Sequence, residues 1–220
     1  MKEFIALFKF GKLEHVTALQ EEGHLHCKTL QYFSELEDQV KRGDELEGVT
    51  DIINLDGGSF KFKDVDAPDS AYSKAFTIDT GKLLQKAKKI SGNIFCLYAI
   101  SLERDQLSNE HIISEEIKAF GDHYIIIKDC KEFLRRVEKK LTQEKLTGTY
   151  GFITYKDFSS FTGRKSHFEK DILFQDQNEF RIFIDKQEDA CLDIKIGSIA
   201  DISEIGYSKD LETVNFYAVD

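Results

Sequence analysis

The segment from His123 to Leu141 constrains the fold more than any other. His123-Tyr-Ile-Ile-Ile-Lys128 is a short run of branched and aromatic residues and reads as a strand. Asp129 follows at once, a residue type whose side-chain oxygen caps helices. Behind it Cys130, Phe133, Leu134, Val137 and Leu141 recur at helical spacing along one face. A strand that feeds directly into a one-faced helix requires a sheet for that helix to cover. Further runs supply the sheet: Phe4 to Phe10, His24 to Leu30, the strongly apolar Asn93 to Ser101, Tyr150 to Tyr155 and Asn178 to Ile184, with short strands around Leu192 to Ile196 and Val214 to Val219. Helices are expected over Leu13, Val16 and Leu19 up to Gly23, and from Ser34, which forms a capping-box pattern with Glu37, to about Val40. The stripe Leu83, Leu84, Ala87 and Ile90 and the segment Ser108 to Phe120 also read as helices. Strands and helices mix without a strict βαβ rhythm, and several neighbouring strands look like hairpins. The expected fold is therefore α+β, with a mixed, largely antiparallel sheet system and about five helices.

One proline in 220 residues (Pro68), and no repeat or low-complexity block, leave no obvious place to cut the chain, so one domain over residues 1–220 is expected. Eighteen Phe and eight Tyr point to an aromatic-rich core rather than disorder. Forty acidic against thirty basic residues give a net charge of −10, which disfavours generic binding to duplex nucleic acid. The basic stripes Lys82, Lys86, Lys88, Lys89 and Lys131, Arg135, Arg136, Lys139, Lys140 read as solvated helix faces. Cys27, Cys96, Cys130 and Cys191 form no C-x-x-C pair and sit among apolar residues, as buried reduced thiols do. The first residues have too short an apolar run for a secretory signal, and no stretch is long enough to span a bilayer. A cytoplasmic protein without a membrane partner is the expectation.

Three groups of residues have the chemistry of sites. Dinucleotide and P-loop fingerprints, a G-x-S-x-G elbow and an H-E-x-x-H helix are all absent. His24-Leu25-His26 puts two imidazoles on one face of a strand, but no third metal ligand can be assigned, and half-buried histidines are the plainer reading. Arg42, Asp44 and Glu47 lie in a charged loop closed by glycines, suited to a polar ligand, a cation or internal salt bridges. Gln177, Glu179 and Arg181 alternate along a predicted strand, so that Gln177 and Glu179 face one cleft with Arg181 below. A carboxylate beside an amide suits the breaking of a ribose–nicotinamide bond. It also suits metal-assisted phosphodiester cleavage, with Asp44, Glu47 and Glu179 holding the cation. Cross-strand pairing of Glu179 and Arg181 is the structural alternative.

Two resemblances add to this. The elements Gly23-His-Leu25, Asp44 to Glu47, Phe95 to Leu97, Phe120 to Ile125, Lys170-Asp171 and Gln177 to Arg181 follow the order seen in a broad, poorly characterised bacterial family. Most of the chain resembles that family of small cytosolic proteins, often met in mobile or defence-associated contexts. Arg42-Gly-Asp44 stands where many members carry Asn-Asp-Pro, and the resemblance implies kinship without an assigned activity. Phe174, Gln177 and Glu179 have the spacing of the Gln/Glu-x-Glu element of the ADP-ribosyltransferase superfamily, which this segment resembles. That resemblance implies NAD as substrate and a macromolecular acceptor. It makes Glu179 the catalytic carboxylate and Gln177 the acceptor-orienting group, with Arg181, Arg42 or His24 holding phosphate or ribose. The chain departs from the pattern in lacking a Ser-Thr-Ser strand and an early-strand arginine, where Phe4 to Phe10 offers only Lys9. A sensor module that binds a nucleotide or a protein without turnover is the non-enzymatic reading.

Overall fold

The computed structural model describes residues 3–36, 43–55, 58–61, 75–78, 81–86, 91–102, 110–186, 190–211 and 213–215. Eight strands share the main sheet: β1 (Glu3–Gly11), β2 (His24–Thr29), β3 (Asn93–Leu102), β4 (His123–Ile127), β5 (Thr147–Phe152), β6 (Glu179–Asp185), β7 (Leu192–Lys195) and β8 (Ser203–Tyr207). Their order is β5-β6-β3-β1-β4-β8, antiparallel throughout, with β2 on the first residues of β3 and β7 on β2. A parallel pair, 154–156 with 169–171, makes the strand system as a whole mixed. The fold is α+β, as the mixture of runs predicts.

Helices α1 (Leu13–Glu22) and α4 (Cys130–Gln143) cover one face of the sheet. All five residues of the predicted α4 stripe are buried there, against Leu7, Leu97, Ile127, Phe180 and Ile182. Each such side chain contributes about 1.5–3 kcal/mol of gross transfer free energy. Asp129 caps α4 by accepting the Glu132 N–H at 2.9 Å. Gly23, in the left-handed region at φ 61°, ends α1. The opposite face carries Ala6, Phe8, Phe10, Tyr98 and Ile100, packed with Ile113, Ile117 and Leu211. Along β6 the alternation sends Phe180, Ile182 and Ile184 toward the helices and Glu179, Arg181 and Phe183 away from them.

Three local expectations change. Gly81–Lys86 is a strand paired with Val49–Leu55, not the start of a helix, and Leu83 and Leu84 are about two-fifths exposed. Cross-strand pairing there overrides a stripe with no core to face; the other half of the stripe, Ala87 and Ile90, lies outside the described residues. Within 108–120, the described residues form a three-residue strand at 110–112 and only a single helical turn, α3 (Glu115–Lys118). The helix expected at Ser34 begins earlier, as α2 (Leu30–Glu35), capped by the Thr29 hydroxyl, which accepts the Tyr32 N–H at 3.0 Å. Of the cysteines, all free, Cys27 and Cys130 are buried, while Cys191 is exposed. Among the described residues no helix is long and apolar enough to cross a membrane.

One irregularity positions the site. The β1–β3 ladder runs from Glu3↔Leu102 to Phe8↔Tyr98 and stops. Strand β2 joins β3 only at Ile94 and Asn93. Between these two ladders the strands part, and the Lys9 ammonium crosses to donate to the Cys96 carbonyl at 2.7 Å.

Candidate functional site

Arg181 is the largest side chain with no solvent exposure in the described structure. Its guanidinium carries five N–H donors away from bulk solvent, so it must be met by acceptors. Nε donates to Glu179 Oε1 at 2.8 Å. Nη2 and Nη1 donate to Glu47 Oε1 and Oε2 at 2.5 and 3.2 Å, and Nη1 also reaches the His167 carbonyl at 2.5 Å. Lys170, itself buried, lies with Nζ 2.8 Å from Glu179 Oε2 and donates to Gln177 Oε1 at 2.8 Å.

Local structure brings these groups together. The 43–48 loop is fixed at both ends by glycine. At Gly43 a Cβ would lie 1.8 Å from the Leu36 carbonyl oxygen, and Gly48 has φ 73°. Inside the loop the Asp44 N–H donates to the Phe33 carbonyl at 3.0 Å, and Asp44 Oδ1 accepts the Leu46 N–H at 2.9 Å. Leu46 and Val49 sink into a small core with Ile52 and Phe158, which leaves Glu47 facing Arg181. At the other wall Asn178, in the left-handed region at φ 38°, separates the turn Ile172–Gln177 from β6. The Glu179 N–H donates to the Tyr155 hydroxyl at 2.9 Å, pinning the first residue of the strand.

The charges fall into two sets. For Glu179, Arg181 and Lys170 burial opposes ionisation, and mutual attraction outweighs it. Arg181 and Lys170 hold the Glu179 carboxyl well below the usual range, while Arg181 and Lys170 themselves titrate above theirs. Asp44 is the reverse: burial, and then the neighbouring Glu47, push its pKa up. Its Oδ2 has no hydrogen-bond partner among the described residues. Burial likewise pushes the Lys165 ammonium down, and its Nζ lies 5.9 Å from the Phe158 ring centroid.

A pH prediction follows from Asp44. Its folded pKa lies above the unfolded one, so its contribution is fully present below the ordinary aspartate pKa and lost as pH rises through the folded value. Asn mimics the protonated form. Asp44→Asn is expected to raise the denaturation midpoint at pH 7, with the gain shrinking as pH is lowered toward about 4. Urea titrations at several pH values check this; a destabilised or pH-indifferent variant would count against it.

Of the residues singled out in the sequence, Glu47, Glu179 and Arg181 form one buried cluster, with Asp44 beside it. Gln177 is not on the strand, as the alternation suggested, but ends the preceding turn; it still reaches the cluster through Lys170. The cation between Glu47 and Glu179 is Arg181 itself. His24 sits elsewhere, on β2 beside Asp193, and Arg42 lies outside the described residues. Lys165 gave no signal in the sequence, and Lys170 and Lys9 stood out there only through the two resemblances. Charge balance points to Lys165 and Lys170, since three acids (Asp44, Glu47, Glu179) buried around one arginine require further cations.

An inner chamber of about 110 Å³ opens on the cluster, walled by Glu179, Arg181, Lys170, Gln177 and the rings of Phe8 and Tyr98. An outer cleft of about 620 Å³ shares six wall residues with it: Lys9, Phe10, Phe33, Ile94, Cys96 and Phe120. Both lie where β1 and β3 part. The chain matches no family model, no curated protein and no solved structure. The chemistry of this cleft is therefore read from its own walls. Among the described residues the outer cleft is lined by Lys9, Lys12 and Lys28 and by the imidazoles of His15, His24 and His26, with Asp122 in its wall and Asp193 hydrogen-bonded to His24 and His26.

Proposed function

We propose that this chain binds an anionic, ring-bearing small molecule of the nucleotide class in the two-chambered cleft, with NAD as the first candidate. The observation that carries this is the gathering of three lysines, Lys9, Lys12 and Lys28, on the wall of one cleft of a protein with net charge −10. A cationic recess in an acidic molecule focuses its field on anionic ligands. Phe10, Phe33 and Phe120 line both chambers, and faces of this kind stack flat rings. The outer cleft has the size of small-molecule pockets, about 300–1,000 Å³, whereas the inner chamber takes only one ring or a few atoms.

Binding without turnover is the form we favour, because both Glu179 oxygens are engaged by cations. The ADP-ribosyl-transfer reading has one observation behind it: Lys9 from the first strand lines the same inner chamber as Gln177 and Glu179. Calorimetric titration with NAD, ADP-ribose and ATP tests the proposal. Saturable binding is expected, weakened about 5–10-fold in Lys9→Met, the loss of one charge-assisted contact. Absence of binding at millimolar ligand would overturn it. Release of nicotinamide that disappears in a folded Glu179→Gln variant would replace the binding reading with transfer.

A further inference from the structure

We infer that His24, His26 and Asp193 form a binding site for a late first-row divalent cation of the Zn²⁺ type. The sequence places His24 and His26 two apart on β2, which puts both imidazoles on one face. Leu25 between them is wholly buried, so the strand cannot turn them inward. The third ligand comes from β7, 167 residues beyond His26, whose register sets Asp193 directly opposite that residue. Ile194, next to Asp193, is buried in the core and fixes β7 in the same way.

The three ligand atoms converge. Asp193 Oδ1 lies 2.8 Å from His24 Nε2 and 2.6 Å from His26 Nδ1, and all three atoms lie within 4.8 Å of one another. Four-coordinate zinc holds nitrogen and oxygen at about 2.0–2.2 Å, so its ligand atoms stand about 3.4 Å apart. The carboxylate must back away by a fraction of an ångström and the rings must close slightly. Side-chain exposures of 29%, 46% and 55% leave all three free to do so. Two neutral imidazoles and one carboxylate suit Zn²⁺ and its neighbours better than Mg²⁺ or Ca²⁺, which take oxygen ligands. Three protein ligands leave the fourth position to water, as in an open zinc site. His24 and His26 also line the outer cleft, so the ion would sit at its rim. The inference does not depend on what occupies the cleft.

The experiment uses the full chain carrying Cys191→Ser, which removes the exposed thiol as a competing ligand. Zn²⁺ uptake is measured by calorimetry, and Co²⁺ substitution is followed by visible absorption. One equivalent per chain is expected, with the intense visible bands of four-coordinate Co²⁺. His26→Ala and Asp193→Asn should each weaken binding at least about 10-fold, the size of effect seen even for groups behind the ligands. Where His26→Ala lowers stability, His26→Gln keeps a polar group opposite Asp193 and serves instead. No stoichiometric uptake, or uptake unchanged by His24→Ala and His26→Ala, would reduce the cluster to a hydrogen-bonded His–Asp–His group.

Discussion

Replacing Arg181 by Met is expected to cost about 3–5 kcal/mol of unfolding free energy, the usual penalty for removing one partner of a buried ion pair. The variant leaves Glu47 without either of its guanidinium contacts and Glu179 with Lys170 as its remaining cation. A domain has only about 5–15 kcal/mol in total, so the loss places this one near its limit. Arg181→Lys should recover little. One ammonium cannot reproduce donation to Glu179, to both Glu47 oxygens and to the His167 carbonyl. The double change Arg181→Met, Glu47→Gln should recover most of the loss, because Glu179 keeps its pairing with Lys170 and no carboxylate of the cluster is left without a cation. With no Trp in the chain, far-ultraviolet dichroism in urea is the suitable readout. A loss below about 1 kcal/mol for Arg181→Met would mean that water reaches the cluster. The same carboxylate sets an acid limit. Glu179 has a depressed folded pKa, so its contribution is present above the ordinary glutamate value, about 4.3, and is lost as pH falls below it.

The second large effect is steric. A Cβ at Gly121 would lie 2.3 Å from the Cα and N of Gly11 and 2.5 Å from its carbonyl carbon. These are backbone atoms at the end of β1, in the strand that pairs with β4 through Gly11↔His123. No side-chain rotation relieves the overlap, so Gly121→Ala is expected to cost about 3 kcal/mol, the upper end for overpacking. Gly151→Ala is the control. Its nearest neighbour would be Phe168 at 3.6 Å, an ordinary contact, and its effect should stay within about 1 kcal/mol. Gly11 and Gly121 both line the outer cleft. Ligand affinity should therefore fall with Gly121→Ala and hold with Gly151→Ala.

The frame was legible where a residue's partner lies within a few positions. The α4 stripe, its Asp129 cap, the Gly23 stop and the alternation along β6 all depend on neighbours three, four or two residues away. Leu83 and Leu84 misled because adjacent leucines fit either period, and their pairing with Ile53 and Ile52 is not local. The same boundary runs through the site. Glu47 and Arg181 were each identifiable as charges in suggestive settings, but their contact spans 134 residues. Asp193 was invisible as a partner of His24 and His26, because only strand register places it there. Lys165 gave no local signal at all; its importance comes from burial near Asp44 and Glu47.

The early end of the β1–β3 ladder makes the main sheet a pair of leaves bound along a short spine. One leaf is β1, β4 and β8; the other is β5, β6, β3, β2 and β7; five residue pairs between β1 and β3 form the ladder that joins them, and α1 and α4 pack across both. The cleft is the unbound end of that spine, with Lys9 on one leaf and Lys28 and Cys96 on the other. A ligand seated there grips both leaves at once. Its binding free energy is then also a clasp against their separation, and occupancy of the cleft becomes readable as thermal stability of the whole molecule.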